Sequence, residues 1–509
     1  MRKNLMVVII ISMAILFRFA LEYVFNIVWN FYDLTSVQGF LIRTLFVVIF
    51  IIIWFSITLR SENPHQKLPW LLILTFEPIL GITLFLSFGR NFKRSFRYLK
   101  RPHMFGRNYI TYEKEPDEIP EYAKDTPYID LFKTAHHLSH HQPFFNEANI
   151  TVLKNGEVFY PELIKAIRDA RKFILLEFFI FRHDQRSQEI AEALLERAQA
   201  GVEVKMIIDG LGSARTKRGF LKKLRNGGID LIINDKVYFP LFNTRINFRN
   251  HRKIVVIDGQ TAFTGGMNIA NEYDNDIPHP YYFRDTQLKI EGKPILSLTA
   301  LFFKDYYYNT GTFITDQTYY PTPRVSPRET TAQIIESGPD STTPHIRNLY
   351  LKMMLTAKKS IKIMTPYMAL DQETLTAIKT AARSGIVVDI IVPGVPDKYI
   401  VYKVTKAYIS NLLADNVNIY QYNKGFCHGK ILIIDDAIAS VGSYNLDNRS
   451  AVIDFEVSTL MQGPVVKDLL EDFYQDLKVS KRIDIKAWQA RPFFSKFLEG
   501  IMSIFTPII

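Results

Sequence analysis

One constellation of residues occurs twice in this chain at identical spacing. His251, Lys253, Asp258, Gly265-Gly266 and Asn268 return as His428, Lys430, Asp435, Gly442-Ser443 and Asn445. A single His-x-Lys-x4-Asp arises by accident in roughly a few per cent of ordinary chains. Two copies, each followed at the same offset by a small pair and an asparagine, do not. The surrounding text repeats as well. Apolar runs of strand length alternate with amphipathic helical patterns over Phe173 to Phe181, Gln188 to Ala200 and Val202 to Ile208, and again over Ile361 to Met364, Gln372 to Arg383 and Ile386 to Val392. A duplicated series of α/β units predicts a helix-covered sheet in each half. Thr310 to Thr331, rich in Thr, Tyr and Pro without helical period, reads as the connector.

Each motif adjoins a strand-like run, Ile254 to Ile257 or Ile431 to Ile434. A histidine and a lysine two apart on extended chain share a face. The pair of motifs therefore offers two imidazoles, two ammonium groups and two carboxamides, a set suited to a phosphate diester held between half-sites. One imidazole can attack phosphorus and the other can protonate the departing alkoxide. Lys253, Lys430, Asn268 and Asn445 would hold the phosphoryl oxygens. Asp258 and Asp435 belong to the repeated catalytic signature, but they lie at odd spacing from its other members, and Asp258-Gly259 is a turn signal, which suggests a structural role. No metal or other cofactor is expected, because each histidine has an ammonium group on its own face. Cys427 is the only cysteine, so no intramolecular disulfide can form. His136, His137, His140 and His141 have helical ligand spacing, yet read more simply as a polar helix face.

Three apolar stretches crowd the first ninety residues: Leu5 to Trp29, Phe40 to Leu59 with only Arg43 inside it, and Leu68 to Phe88, broken at Glu77-Pro78. The second is long and clean enough to span a bilayer. Seven basic residues and no acid lie between Arg90 and Arg107, a run that suits an anionic membrane surface and, by the positive-inside rule, a cytoplasmic catalytic portion. Glu113 to Pro120 reads as a linker into that portion. The net charge of +11, from 62 basic and 51 acidic residues, would also suit nucleic acid. No basic and aromatic groove for it is legible, so lipid is the expected partner and nucleic acid is not. Trp488 to Ile509 mixes aromatic and aliphatic residues with Arg491 and Lys496, as an interfacial segment or a core cap would.

The motif pair resembles the HKD signature of the phospholipase D superfamily. Within it, the chain is similar to the bacterial cardiolipin synthases through Leu86-Ser87-Phe88-Gly89-Arg90-Asn91, Phe239-Pro240-Leu241-Phe242-Asn243, Asn250-His251-Arg252-Lys253, Ser337-Gly338-Pro339-Asp340 and Gly425-Phe426. The resemblance implies two tandem α/β/α sandwich domains in pseudo-twofold arrangement, over 110–320 and 321–480. A membrane anchor of two or three transmembrane helices would precede them over 1–109, and an amphipathic tail would follow over 481–509. It implies a multi-pass protein of the bacterial cell membrane that joins two phosphatidylglycerols into cardiolipin and releases glycerol through a phosphatidyl-histidine. Hydrolysis of the phosphodiester by water is the alternative. It also implies one carboxylate behind each histidine, for which Asp285 and Glu456 are candidates, following the histidines of their own halves by 34 and 28 residues.

Overall fold

The structure, a computed structural model, describes residues 37–59, 64–88, 127–139, 144–236, 248–324, 330–341, 343–504 and 506. The stretch from Leu5 to Trp29, the basic run, the linker, His140, His141 and Phe239 to Asn243 lie outside these. Two compact units emerge, residues 1–92 with 239–244, and the remainder.

In the first unit, Val37–Thr58 is a helix of 22 residues. Several side chains in its first turns fall outside the described set. Taken over the described residues alone, no helix is long and apolar enough to cross a membrane. The third apolar stretch is not a single helix. Pro64–Phe76 and Pro78–Phe88 meet at Glu77 and fold back on each other. A Cβ added to Gly81 would stand 2.7 Å from Leu74 Cα, and the rings of Trp70 and Phe85 meet edge to face at 5.5 Å. Proline, which cannot donate to a helix ladder, sits at the start of the return helix. At 1.5 Å per residue neither arm exceeds about 20 Å, short of the ~30 Å hydrocarbon core. Of the two or three spans the sequence left open, this stretch forms a hairpin rather than one continuous helix.

The second unit is built on nineteen strands among the described residues. The first half supplies β1 (Phe144–Lys154), β2 (Phe173–Phe178), β3 (Glu203–Asp209), β4 (Asp230–Asn234), β5 (Lys253–Ile257), β6 (Thr261–Gly265), β7 (Tyr282–Arg284) and β8 (Thr286–Gly292). The second supplies β9 (Thr330–Ser337), β10 (Ser360–Met364), β11 (Met368–Ala369), β12 (Val387–Pro393), β13 (Asn418–Tyr422), β14 (Gly425–Cys427), β15 (Ile431–Ile434), β16 (Ile438–Gly442), β17 (Leu446–Asp447), β18 (Glu456–Gln462) and β19 (Ser480–Arg482). Fifteen of them form one sheet, in the order β19-β13-β12-β10-β15-β16-β18-β9-β1-β8-β6-β5-β2-β3-β4. Outward from the antiparallel β9/β1 seam the two halves match strand for strand, with β19 added at one edge. The sandwiches expected as tandem domains therefore share a single sheet within one compact unit.

Strand β2 shows why the apolar runs did not alternate with polar residues. Ile174, Leu176 and Phe178 pack on one face with helices Gly156–Asp169 and Gln185–Gln199. Phe173 and Leu175 pack on the other, in a core that also takes Phe302 and Phe303 from helix Pro294–Thr310 and Phe473 from helix Val465–Lys478. A strand buried on both faces reads as a continuous hydrophobic run. The repeat extends to the helix ends. Asp184 and Asp371 cap their helices by accepting from Ser187 N and Thr374 N. Gly201 and Gly385 close them at φ +89° and +87°, a left-handed conformation that favours glycine. His136 and His137 lie at the end of helix Ile129–Leu138, whose Leu131, Phe132 and Ala135 are buried.

Candidate active site

The duplicated motifs are brought together at one place, where the halves cross-connect. Strands β7 and β14 pair in parallel, Tyr282 to Arg284 against Gly425 to Cys427. The His428 N–H donates to Arg284 O at 2.7 Å, and the His251 N–H donates to Phe455 O at 2.9 Å. Each histidine is thus anchored to the residue immediately before the acid of the opposite half. The side chains follow. His251 Nδ1 faces the two Glu456 carboxylate oxygens at 3.0 and 3.1 Å, and His428 Nδ1 faces Asp285 Oδ2 at 2.6 Å. Sequence order had placed each acid with the histidine of its own half. The fold exchanges them, because it pairs backbone across the halves rather than within them.

The small residues of the motif give the acids room. A Cβ on Gly266 would stand 2.1 Å from Asp285 Oδ1. The equivalent Ser443 instead donates its hydroxyl to Glu456 Oε2, and its Oγ accepts from Val457 N at 3.0 Å. Lys253 Nζ donates to His251 O at 2.6 Å. Lys430 Nζ donates to His428 O and stands 2.8 and 3.2 Å from the two ring nitrogens of His428. Aromatic rings wall the site: Phe179 lies 5.0 Å from the His251 ring, and Tyr273, Phe283 and Phe426 lie 5.5 to 5.9 Å from that of His428.

Burial among these cations shapes the protonation. Burial, with Lys253 and Lys430 nearby, holds His251 well below the usual imidazole range. Burial and Lys430 lower His428 to about 4 against the pull of Asp285. Burial lowers Lys253 to about 7, although Glu456 opposes it, and Lys430 to about 8 against Asp285 and Glu456. Burial raises Glu456 to about 7, countered by Lys253 and by the Ser443 hydrogen bond. For Asp285 burial is outweighed by Lys430 and His428, so its carboxyl stays below the usual range. The imidazoles are accordingly neutral, beside ammonium groups that have given up part of their proton affinity. A phosphodiester anion entering between them reverses that trend, since a nearby opposite charge favours each cationic form.

The remaining expected residues divide. Asp258 and Asp435 point away from the chemistry, at the far ends of β5 and β15. The Asp258 carboxylate accepts from the backbone N–H groups of Arg171, Lys172 and Phe173. That of Asp435 accepts from Lys358, Lys359 and Ser360 and from the Tyr128 hydroxyl. Both take positive φ, +52° and +53°. Their placement with the catalytic set is corrected: they clamp the start of the neighbouring strand. The two asparagines also part. Asn268 Oδ1 accepts from Ile180 N at 3.1 Å and its Nδ2 donates to the Tyr273 hydroxyl at 2.7 Å, whereas Asn445 Oδ1 is buried with no hydrogen-bond partner among the described residues. Cys427 is buried, and burial pushes its thiol up, so it stays protonated.

Sequence reasoning missed Ser443 as a support for Glu456, and it missed an ion network behind His251. Arg252 is fully buried between Asp305 and Glu336, the latter at 2.7 Å, and its Nε donates to Glu456 O at 3.3 Å. Lys304 joins Glu336 at 2.6 Å and Asp340 at 2.8 Å. Strand alternation carried the signal, since Arg252 lies between His251 and Lys253 and so points to the opposite face.

A two-histidine site of this build, assembled from duplicated halves of one α/β sheet, fits an enzyme of phosphodiester chemistry of the phospholipase D class. Residues 163–274 and 350–477 match the family model described as "Cardiolipin synthase, PLD-like domain". The chain is 36% identical over 479 residues to the cardiolipin synthase of Alkalihalophilus pseudofirmus, covering 93% of this chain and 95% of that one. It is 35% identical over 460 residues to that of Geobacillus kaustophilus, covering 89% and 91%. Among solved structures, phosphatidylserine synthase of Haemophilus influenzae Rd KW20 shares the fold at a TM-score of 0.58 and 16% identity, over 75% of this chain and 100% of that one. The chain belongs to the cardiolipin synthase family of the phospholipase D superfamily, and it is a phosphatidyltransferase.

Proposed function

We propose that the site joins two phosphatidylglycerol molecules into cardiolipin and glycerol by double displacement. The observation that supports this most is the crossed pairing of each histidine with a carboxylate of the other half, with a lysine beside each. Neutral His251, its Nδ1–H directed at Glu456, attacks the phosphorus of the first phosphatidylglycerol through Nε2. The bond from phosphorus to the headgroup glycerol breaks, and His428, protonated once the anionic substrate is bound and held by Asp285, gives its proton to the leaving oxygen. The glycerol hydroxyl of a second phosphatidylglycerol then returns a proton to His428 and attacks phosphorus. This frees His251 and completes cardiolipin. Lys253, Lys430 and the carboxamide of Asn445 face the non-bridging oxygens, where fixed charge counts most.

The anchor is part of the same proposal. Val37–Thr58 is about 33 Å long at 1.5 Å per residue, and the full sequence of Phe40 to Leu59, apolar but for Arg43, supports the one crossing that its described residues alone do not meet. With Leu5 to Trp29 as a second span and the Pro64–Phe88 hairpin re-entrant, the N-terminus and the basic run from Arg90 both face the cytoplasm with the catalytic unit.

Purified enzyme given phosphatidylglycerol alone in detergent micelles should yield cardiolipin and glycerol. Phosphatidic acid as the main product would instead make water the acceptor. His251→Ala and His428→Ala should each lose about 10²–10⁴-fold in turnover or more, and near-normal rates in either would refute the shared site.

A further inference from the structure

Helix Phe493–Ser503 is amphipathic with its faces reversed. Its one acid, Glu499, is only 2% exposed and accepts from Arg491 at 2.9 and 3.0 Å and from Ser495 at 3.1 Å. Its aromatic residues point outward: Phe493 is 70% exposed, Phe494 72% and Phe497 45%, with Phe493 and Phe497 stacked at 6.0 Å. Ile504, just past the helix, is 59% exposed. A helix facing water turns its charge out and its apolar side in. The helix packs on Tyr399–Leu413, whose first turn exposes Tyr399 and Ile400. The two helices together carry no acid except Glu499.

The charged groups on and immediately before them are cationic apart from the buried Glu499 and from Asp397, which accepts from the Tyr367 hydroxyl. Lys398 lies 5.0 Å over the Tyr367 ring, Lys403 5.4 Å over Tyr399, and Lys406 4.5 Å over Tyr402. Arg491 and the exposed Lys496 add to them. Exposed aromatics among basic residues, with no exposed acid on either helix, complement a surface that is apolar below and negative above. The face also reaches the chemistry. The Tyr367 ring lies tilted 6.4 Å from that of Phe426, whose ring is 5.9 Å from that of His428.

We propose that helices Tyr399–Leu413 and Phe493–Ser503 form a docking face that enters the headgroup layer of an anionic phospholipid bilayer and sets the catalytic mouth against it. This rests on the proposed function only in taking the substrate from that layer. It is tested in the full chain, reconstituted into phosphatidylglycerol–phosphatidylcholine vesicles. A polarity-sensitive fluorophore is placed on Phe494→Cys or Phe497→Cys, with Lys165→Cys as the control; the native Cys427 is buried. Lipid-borne quenchers should extinguish the dye at 494 and 497 but not at 165, and much less in phosphatidylcholine alone. The triple variant Phe493→Ser, Phe494→Ser, Phe497→Ser should lose at least about tenfold in turnover on vesicles, while keeping its rate on dispersed short-chain phosphatidylglycerol.

A dye at 494 that stays in water on anionic vesicles would overturn the proposal, as would equal quenching on phosphatidylcholine. Loss on the dispersed substrate to the same extent would assign the phenylalanines a folding role instead. Dye burial that depends on protein concentration in lipid-free detergent would make a second copy the occupant. Docking without cardiolipin formation would count against the proposed reaction and leave the face standing; cardiolipin formation with the dye in water would do the reverse.

Discussion

Asp285 and Glu456 carry the most specific consequence at the scale of single residues. Each lies against the histidine of the opposite half, so the two steps of the proposed double displacement should answer to different acids. In a His428→Ala background, where a lipid adduct on His251 can accumulate from a substrate with a good leaving group, Glu456→Gln should slow adduct formation by about 10²–10⁴-fold. Asp285→Asn should leave that step nearly unchanged. The reverse order in rapid-quench measurements would restore pairing within each half. The lysines make a second prediction. With Lys253 at about 7 and Lys430 at about 8, both ammonium charges are present in acid and are lost as pH rises through that window. Affinity for a phosphodiester anion falls with them, so the decline in kcat/KM that follows loss of the His428 proton, at about 4 in the free enzyme, should steepen above pH 7 to 8. Bound substrate raises both lysines, so the decline in kcat should come at higher pH. A kcat/KM limb near the ordinary lysine value of about 10.4 would show that burial does not govern these groups.

Among the elements, the short β7/β14 pair contributes more to the site than its length suggests. It carries Arg284 and Cys427 into register, and the next residues are Asp285 and His428. Gly425 is the close approach that permits it, since an added Cβ would stand 2.0 Å from Tyr282 O. Gly425→Ala should therefore force the strands apart, cost about 1–3 kcal/mol and remove most turnover. Gly311→Ala is the comparison, because Gly311 takes φ +76° with open space around it. It should lower thermal stability through backbone strain alone and leave kcat/KM of the folded enzyme intact. Equal activity losses in the two variants would deny β7/β14 its positioning role. Gly266 and Gly442 act on the same principle at the ends of β6 and β16, where side chains would collide with the Asp285 carboxylate and with Val457 O.

Across the whole catalytic unit, the β1/β9 seam makes the two halves one sheet with one shared core. Contacts of that kind predict a single cooperative opening. In hydrogen exchange followed by mass spectrometry, peptides covering β5 and β15 should lose protection at the same denaturant concentration. Two separated transitions would mean that the halves are independent domains joined by a connector. Cooperativity also bears on chemistry, since a half that opened alone would take away the acid that holds the other half's histidine.

The sequence by itself determined the duplication, the α/β class, the family and the identity of the two histidines and two lysines, because these depend on spacing along the chain and on residue chemistry. His251 and Lys253 share a face by strand geometry alone, and the caps at Asp184 and Asp371 are local as well. Asp258 was legible as a turn residue for the same reason, although three backbone donors from a distant strand end were needed to show what it does. What depends on contacts between segments far apart was decided only in three dimensions. The seam that merges two sandwiches, the exchange of Glu456 and Asp285 between the histidines, the commitment of Asn268 to Tyr273 and the outward turn of Phe493 and Phe494 are of this kind. Periodicity tells a residue which side of its own element it occupies; it does not tell that element which neighbour it will meet, and in this enzyme the neighbour comes from the other half.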